Sequence, residues 1–195
     1  YQIPENSLFI GGIDINNIDL NDLRNRIGYD PQNNFLFSKN INQNIAFNTK
    51  DIDEKVVEDK SRISMVYDEI DALDKKFLTE LGERGVNLSG GQKQRISIAR
   101  AFYKDPEIII LDDSLSAVDT KTEDKILHHI REELRDKTAI IISHRVSTVK
   151  DVDKIIVLEE GQIIESGTHE SLIALGGYYS ELYHKQKLED KVLED

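Results

Sequence analysis

The chain has 195 residues, 38% of them hydrophobic and 32% charged, a length and balance that suit one soluble globular domain with a sizeable core. The longest uninterrupted apolar runs are four residues, Ile108–Leu111 and Ala139–Ile142 among them, far short of the ~20 that cross a bilayer, and the absence of cysteine excludes a disulfide framework. A formal net charge of −12 speaks against a nucleic acid partner, which demands a basic face.

In chain order, residues 1–31 read as β-rich. Leu8–Ile15 places two apolar stretches around Gly11-Gly12, a two-residue hairpin signal. Asp19–Arg24 reads as a short helical turn and Ile27–Tyr29 as a short strand. From Asn33 to Lys104 the pattern turns helical. Val56, Val57, Ile63, Val66, Ile70 and Leu73 form a rough helical stripe among acids and lysines, and Gln92–Phe102 is a helix without internal breakers.

From Pro106 the pattern is strand–helix–strand. Ile108–Leu111 is an all-apolar run, as expected of a strand buried on both faces. Thr120–Leu134 follows as a helix and Ala139–Ile142 as a second buried strand. Ile155–Leu158 and Gln162–Glu165 flank Glu159-Glu160-Gly161 as a hairpin, and Tyr178–Val192 closes the chain as a charged amphipathic helix. The sum is an α/β core with a helical insertion.

Two places carry chemistry. Ser89-Gly90-Gly91 stands directly before the Gln92–Phe102 helix: the serine can cap it, the glycines admit close approach of a ligand, and the free N–H groups suit a phosphate. Alone, such a start is often only a cap. Downstream, Ile108-Ile-Ile-Leu-Asp112 puts a carboxylate at the carboxyl edge of a parallel sheet, where α/β proteins bind ligands and where an acid in a nucleotide site holds Mg2+.

Together these segments resemble the nucleotide-binding domain of ATP-binding cassette (ABC) transporters of the exporter type, over essentially the whole chain. Leu88-Ser-Gly-Gly-Gln-Lys-Gln-Arg95 resembles the family's signature, Ile108–Asp112 its Walker B strand, and Ser116-Ala-Val-Asp119 its D-loop. Ile142-Ser-His144 is similar to the switch motif, Tyr29-Asp-Pro-Gln32 to the Q-loop, and Thr79–Gly85 to the segment that exporters place before the signature. The resemblance implies a P-loop NTPase core with a mainly parallel sheet, an N-terminal β-hairpin and an inserted helical subdomain. Residues 1–32 and 105–195 would form the core and 33–104 the insertion.

It also implies roles. Ser89, Gly90, Gly91 and Gln92 would grip ATP held by a second nucleotide-binding domain, with Asp119 communicating across that dimer. Asp112 and Gln32 would hold Mg2+, Gln32 also reaching the γ-phosphate. His144 would contact the γ-phosphate and position water, and Asp113 would stand at the general base. The partners implied are a second such domain and transmembrane domains, at the cytoplasmic face of a membrane. A soluble ABC protein and a non-catalytic regulatory domain are the alternatives.

Three departures from the pattern stand out. The phosphate loop Gly-x-x-x-x-Gly-Lys-[Ser/Thr] is not found in these residues; in the family it lies upstream of the hairpin. With Tyr1 in place of an initiator Met, the sequence therefore reads as a fragment that would bind ATP poorly by itself. Asp113 replaces the usual Glu, withdrawing the carboxylate by about 1–1.5 Å from a base that needs ~2.6–3.2 Å contact. This resembles the weakened subunit of heterodimeric exporters. Asp30 stands where the family prefers an apolar residue, and the sequence offers no physical account of it.

Overall fold

The computed structural model describes residues 3–82 and 88–194. It divides into two compact units, 1–140 and 141–195.

The first unit opens with the hairpin. β1 (Phe9–Ile10) and β2 (Ile13–Asp14) pair antiparallel, with Phe9 opposite Asp14. Gly11 and Gly12 have φ of 57° and 80°, the doubly left-handed turn that matches strand twist and that side chains resist. Asp19 caps α1 (Leu20–Arg26) by accepting from the Asn21 and Asp22 amides. The chain then enters β3 (Ile27–Asp30).

β3 pairs in parallel with β4 (Ile108–Asp112), Ile27 beside Ile108 and Asp30 beside Leu111. β5 (Thr138–Ile142) completes a three-stranded sheet of order β3-β4-β5. Against β3 and β4 lies α5 (Gly90–Phe102). Its approach is close: a Cβ on Gly28 would meet the Ala101 carbonyl oxygen at 2.2 Å and Pro106 Cγ at 2.7 Å. Helix and strand touch backbone to backbone there.

Between β3 and α5 the chain is helical, as the pattern predicts, but in shorter pieces. α2 (Ile41–Ile45) is capped reciprocally by Asn40 and Gln43. The stripe from Val56 to Leu73 is not one helix. α3 (Glu54–Ile63) and α4 (Tyr67–Asp71) are separated at Met65, whose φ is 57°. The break lets both apolar faces turn into one core, where Leu36, Ile41, Ile45, Val57, Val66, Ile70, Ile96 and Ala99 are almost wholly buried. After β4, α6 (Thr120–Glu133) buries Ile126 and Ile130.

The second unit contains α7 (Val146–Val149), the hairpin β6 (Ile155–Glu159) and β7 (Gln162–Gly167), α8 (His169–Leu175) and α9 (Tyr178–Glu194). Glu160 and Gly161 make the hairpin turn with φ of 48° and 78°. Val146, Ile155, Leu172 and Tyr179 are its buried centre. The Glu165 carboxylate accepts from the Tyr178 and Tyr179 amides at 2.5 and 3.1 Å, capping α9 from the hairpin. Among the described residues no helix is long and apolar enough to cross a membrane.

Candidate functional site

The site begins at the start of α5. Ser89 caps it through a full reciprocal box: Ser89 Oγ accepts from the Gln92 amide at 3.2 Å, and Gln92 Oε1 accepts from the Ser89 amide at 2.9 Å. The other end of the Gln92 side chain donates to Glu69 of α4 at 2.8 Å. Arg95 donates to the same carboxylate at 2.9 Å, to the Met65 carbonyl at 2.8 Å and to the Gly91 carbonyl at 3.2 Å. The break at Met65 thus has a second use, presenting a carbonyl to the arginine. The Gln92 side chain is committed to holding the helix end, and the N–H groups of Gly90 and Gly91 are the donors that such an end could offer a ligand.

Both glycines lie against Ala117. A Cβ on Gly91 would sit 3.1 Å from the Ala117 carbonyl oxygen, and one on Gly90 3.6 Å from its methyl. Gln94, one turn further along α5 and almost fully buried, holds that loop. Its Oε1 accepts from the Ala117 amide at 2.9 Å and its Nε2 donates to Ser116 Oγ at 3.1 Å. Asp119 accepts from the Thr122 amide at 3.0 Å as the N-cap of α6, and the Thr122 hydroxyl, with that amide, holds its carboxyl below the ordinary range.

At the carboxyl edge of the sheet Asp112 ends β4, and the Tyr29 hydroxyl of β3 donates to its Oδ2 at 3.4 Å. Asp113 follows with φ of 50°, a left-handed conformation that Asp tolerates better than most residues. Its carbonyl accepts from Ser116 Oγ at 3.0 Å, closing a tight turn. Gln32 is exposed in the loop after β3. Among the described residues no three His, Cys, Asp or Glu side chains gather into a closed cage. Asp112 and the Gln32 amide offer hard oxygen donors, the kind from which an open Mg2+ site completed by water and phosphate would be built.

Asp30 has the explanation that the sequence lacks. Its carboxyl is wholly buried at the end of β3 and accepts from Ser97 Oγ of α5. Asn34, with its amide nitrogen turned inward, reaches Asp30 Oδ1 at 3.0 Å and Ser97 Oγ at 3.1 Å. Burial pushes the carboxyl up to about 6, against the pull of the Ser114 and Ser97 hydroxyls and the Arg100 charge. Asp30 Oδ2 and Ser114 Oγ are both buried, and neither closes a hydrogen bond of good geometry among the described residues.

His144 belongs to the second unit, where it is exposed; its backbone carbonyl accepts from Gln186 of α9 at 2.7 Å. Of the segment Thr79–Gly85, residues Glu83, Arg84 and Gly85 lie outside the described residues.

The ABC transporter family model matches residues 1–116, more than half of the chain. The chain belongs to the ABC transporter family. It is similar to a probable multidrug resistance ABC transporter ATP-binding/permease protein, YheI of Bacillus subtilis, with 46% identity over 96% of this ABC chain and 32% of the relative. An ATP-dependent lipid A-core flippase of Methylobacillus flagellatus is 38% identical over 95% of the chain and 32% of its own length. A solved structure of a bacterial Atm1-family ABC exporter with ATP bound superposes with a TM-score of 0.88 at 38% identity, covering 92% of this chain and 32% of that one. The α/β fold of the P-loop NTPase type is therefore shown. The ABC chain spans about a third of the length of the curated relatives it matches.

Within that fold, the residues that sequence reasoning missed are Gln94, Glu69 and Arg95. Gln94 and Arg95 lie in or beside the signature string, but nothing local says that one reaches Ala117 and the other Glu69. Both contacts join segments more than twenty residues apart.

Proposed function

We propose that this chain is the ATP-binding part of a membrane exporter subunit, working at the cytoplasmic face against a second nucleotide-binding domain. The observation that carries this reading is the packing of the capped Gly90-Gly91 helix start against Ala117, two residues before Asp119. A glycine-lined helix end with free amides is suited to a γ-phosphate presented from outside the chain. The relatives named as exporter, flippase and multidrug proteins support the assignment to export; they differ in cargo, so none is assigned.

Each residue has a task in this proposal. Gly90 and Gly91 donate backbone N–H groups to ATP held by the partner domain, with Ser89 and Gln92 fixing the helix end that carries them. Asp112 and Gln32 hold Mg2+, which when bound neutralises phosphoryl charge. Asp113 faces the attacking water, His144 donates to the γ-phosphate oxygens, and Asp119 reads the dimer interface. The helical segment 33–104 carries the motion of closure to the transmembrane domains.

Asp113 in place of Glu supports a division of labour: a slow site on this chain, and a competent site on a distinct partner completed by Leu88–Gln92. The test is ATP turnover of the intact parent protein, alone and with its natural partner. Asp113→Glu is expected to raise turnover of the parent alone by about ten-fold or more. Full-rate hydrolysis by the parent as a homodimer, with no gain from Asp113→Glu, overturns the division. Failure of the parent to bind ATP in any pairing overturns the reading as a whole and favours a regulatory domain.

A further inference from the structure

The loop that carries Gln32 is fastened to α5 at both of its ends. At its start, Asp30 accepts from Ser97 Oγ in the middle of α5, and Asn34 reaches the same two groups at 3.0 and 3.1 Å. At its far end Arg100, one turn further along the helix, donates to the Phe35 carbonyl at 2.9 Å. Arg100 also donates to the Asn44 carbonyl at 2.7 Å and to Asn44 Oδ1 at 3.1 Å, so it is itself anchored in α2. Between the two fastenings lie only Pro31, Gln32 and Asn33 with Asn34, and Pro31 has a fixed φ.

An apolar side chain would fill the Asp30 position without the desolvation cost that a wholly buried carboxyl carries. What a carboxyl adds is direction: its Oδ1 is satisfied only when Ser97 and Asn34 stand in one arrangement, whereas an apolar contact tolerates sliding. We infer that Asp30 is a positioning residue that staples the Gln32 loop to the signature helix, so that both move as one piece. This rests on the function proposed above. In that reading Gln32 serves the chain's own nucleotide and Gly90-Gly91 serve the partner's, so the staple joins one ATP site to the other. α5 runs unbroken from Ser89 to Ser97, a rise of about 12 Å, which makes it a stiff lever between them.

The test uses the intact parent with its natural partner, and MgATP as the probe. Asp30→Val and Ser97→Ala each remove the staple, while Asp30→Asn keeps a carbonyl oxygen that accepts from Ser97. Asp30→Val and Ser97→Ala are expected to lower kcat at least about five-fold with KM for ATP changed less than about two-fold, since only the closed arrangement uses the link. Asp30→Asn is expected to keep half or more of the wild-type kcat. Should Asp30→Val fail to fold, Ser97→Ala and Asp30→Asn decide the matter between them. Wild-type kcat in Ser97→Ala, or an Asp30→Asn as impaired as Asp30→Val at equal thermal stability, overturns the staple alone. A wild-type complex that turns over no ATP removes the functional reading and this inference together.

Discussion

Gln94 holds Ala117 by its backbone: the carboxamide oxygen accepts from the Ala117 amide at 2.9 Å while the same side chain's nitrogen donates to Ser116 Oγ at 3.1 Å. One nearly inaccessible side chain therefore ties the helix after Gly90-Gly91 to the loop before Asp119. Gln94→Ala strands a backbone donor and is expected to cost about 1–3 kcal/mol. Amide hydrogen exchange across residues 113–118 is expected to quicken while that of β4 stays slow. Unchanged exchange in that segment would show that the loop is held by other means.

The contact of β3 with α5 leaves no room at Gly28. Its backbone φ is unremarkable, so the constraint is space: an added methyl would fall 2.2 Å from the Ala101 carbonyl oxygen and 2.9 Å from Ile109 Cδ1. Neither the helix backbone nor a core isoleucine yields cheaply. Gly28→Ala is expected to destabilise by about 2 kcal/mol or more, read as a lowered thermal midpoint and poor soluble yield. A midpoint within a degree or two of wild type would mean that α5 can shift outward.

Asp119 has a structural task in the fold and a separate task only in the function proposed. Its carboxylate caps α6, so Asp119→Ala is expected to lower the thermal midpoint. Asp119→Ser restores a cap without the charge. The expected outcome in the intact complex is that Ser recovers the thermal midpoint but not the ATP turnover, as the proposed role across the dimer requires. Recovery of both would reduce Asp119 to a helix cap.

Acid sensitivity has a contributor outside the site. Lys137 donates to Asp105, and that hydrogen bond holds the Asp105 carboxyl below its ordinary value. A carboxyl with a lowered folded-state pKa adds stability above its unfolded pKa and loses it as pH falls through the folded one. Lys137→Met is therefore expected to narrow the gap between thermal midpoints measured at pH 7 and pH 3.5. The pair is largely exposed on the Asp105 side, so the change is small. A gap as wide as in wild type removes the pair from the acid limb.

How much of this was legible in the sequence depends on range. The Gly11-Gly12 hairpin, the β4 strand and the Ser89 cap follow from local rules, and the structure has all three. The rough helical stripe over residues 56–73 is helical, but in two pieces, because periodicity cannot tell one helix from two that share a face. The turn at Met65 is imposed by the core and by Arg95, which takes its carbonyl. α2, α7 and α8 carried too few periodic residues to stand out. Asp30 showed as an anomaly from its identity, but its partners Ser97 and Arg100 lie more than sixty residues away and only the fold brings them near.

The self-sufficient cap on α5 has a kinetic meaning. Because Ser89 and Gln92 satisfy each other within the chain, the ends of Gly90 and Gly91 are ordered before any second domain arrives. Ordering entropy is then spent at synthesis and not at each encounter, so in the proposed dimer every closure would start from a rigid half. If the parent closes and reopens on each cycle as proposed, such a surface would leave its association rate to diffusion and orientation, not to a helix end that must first be formed.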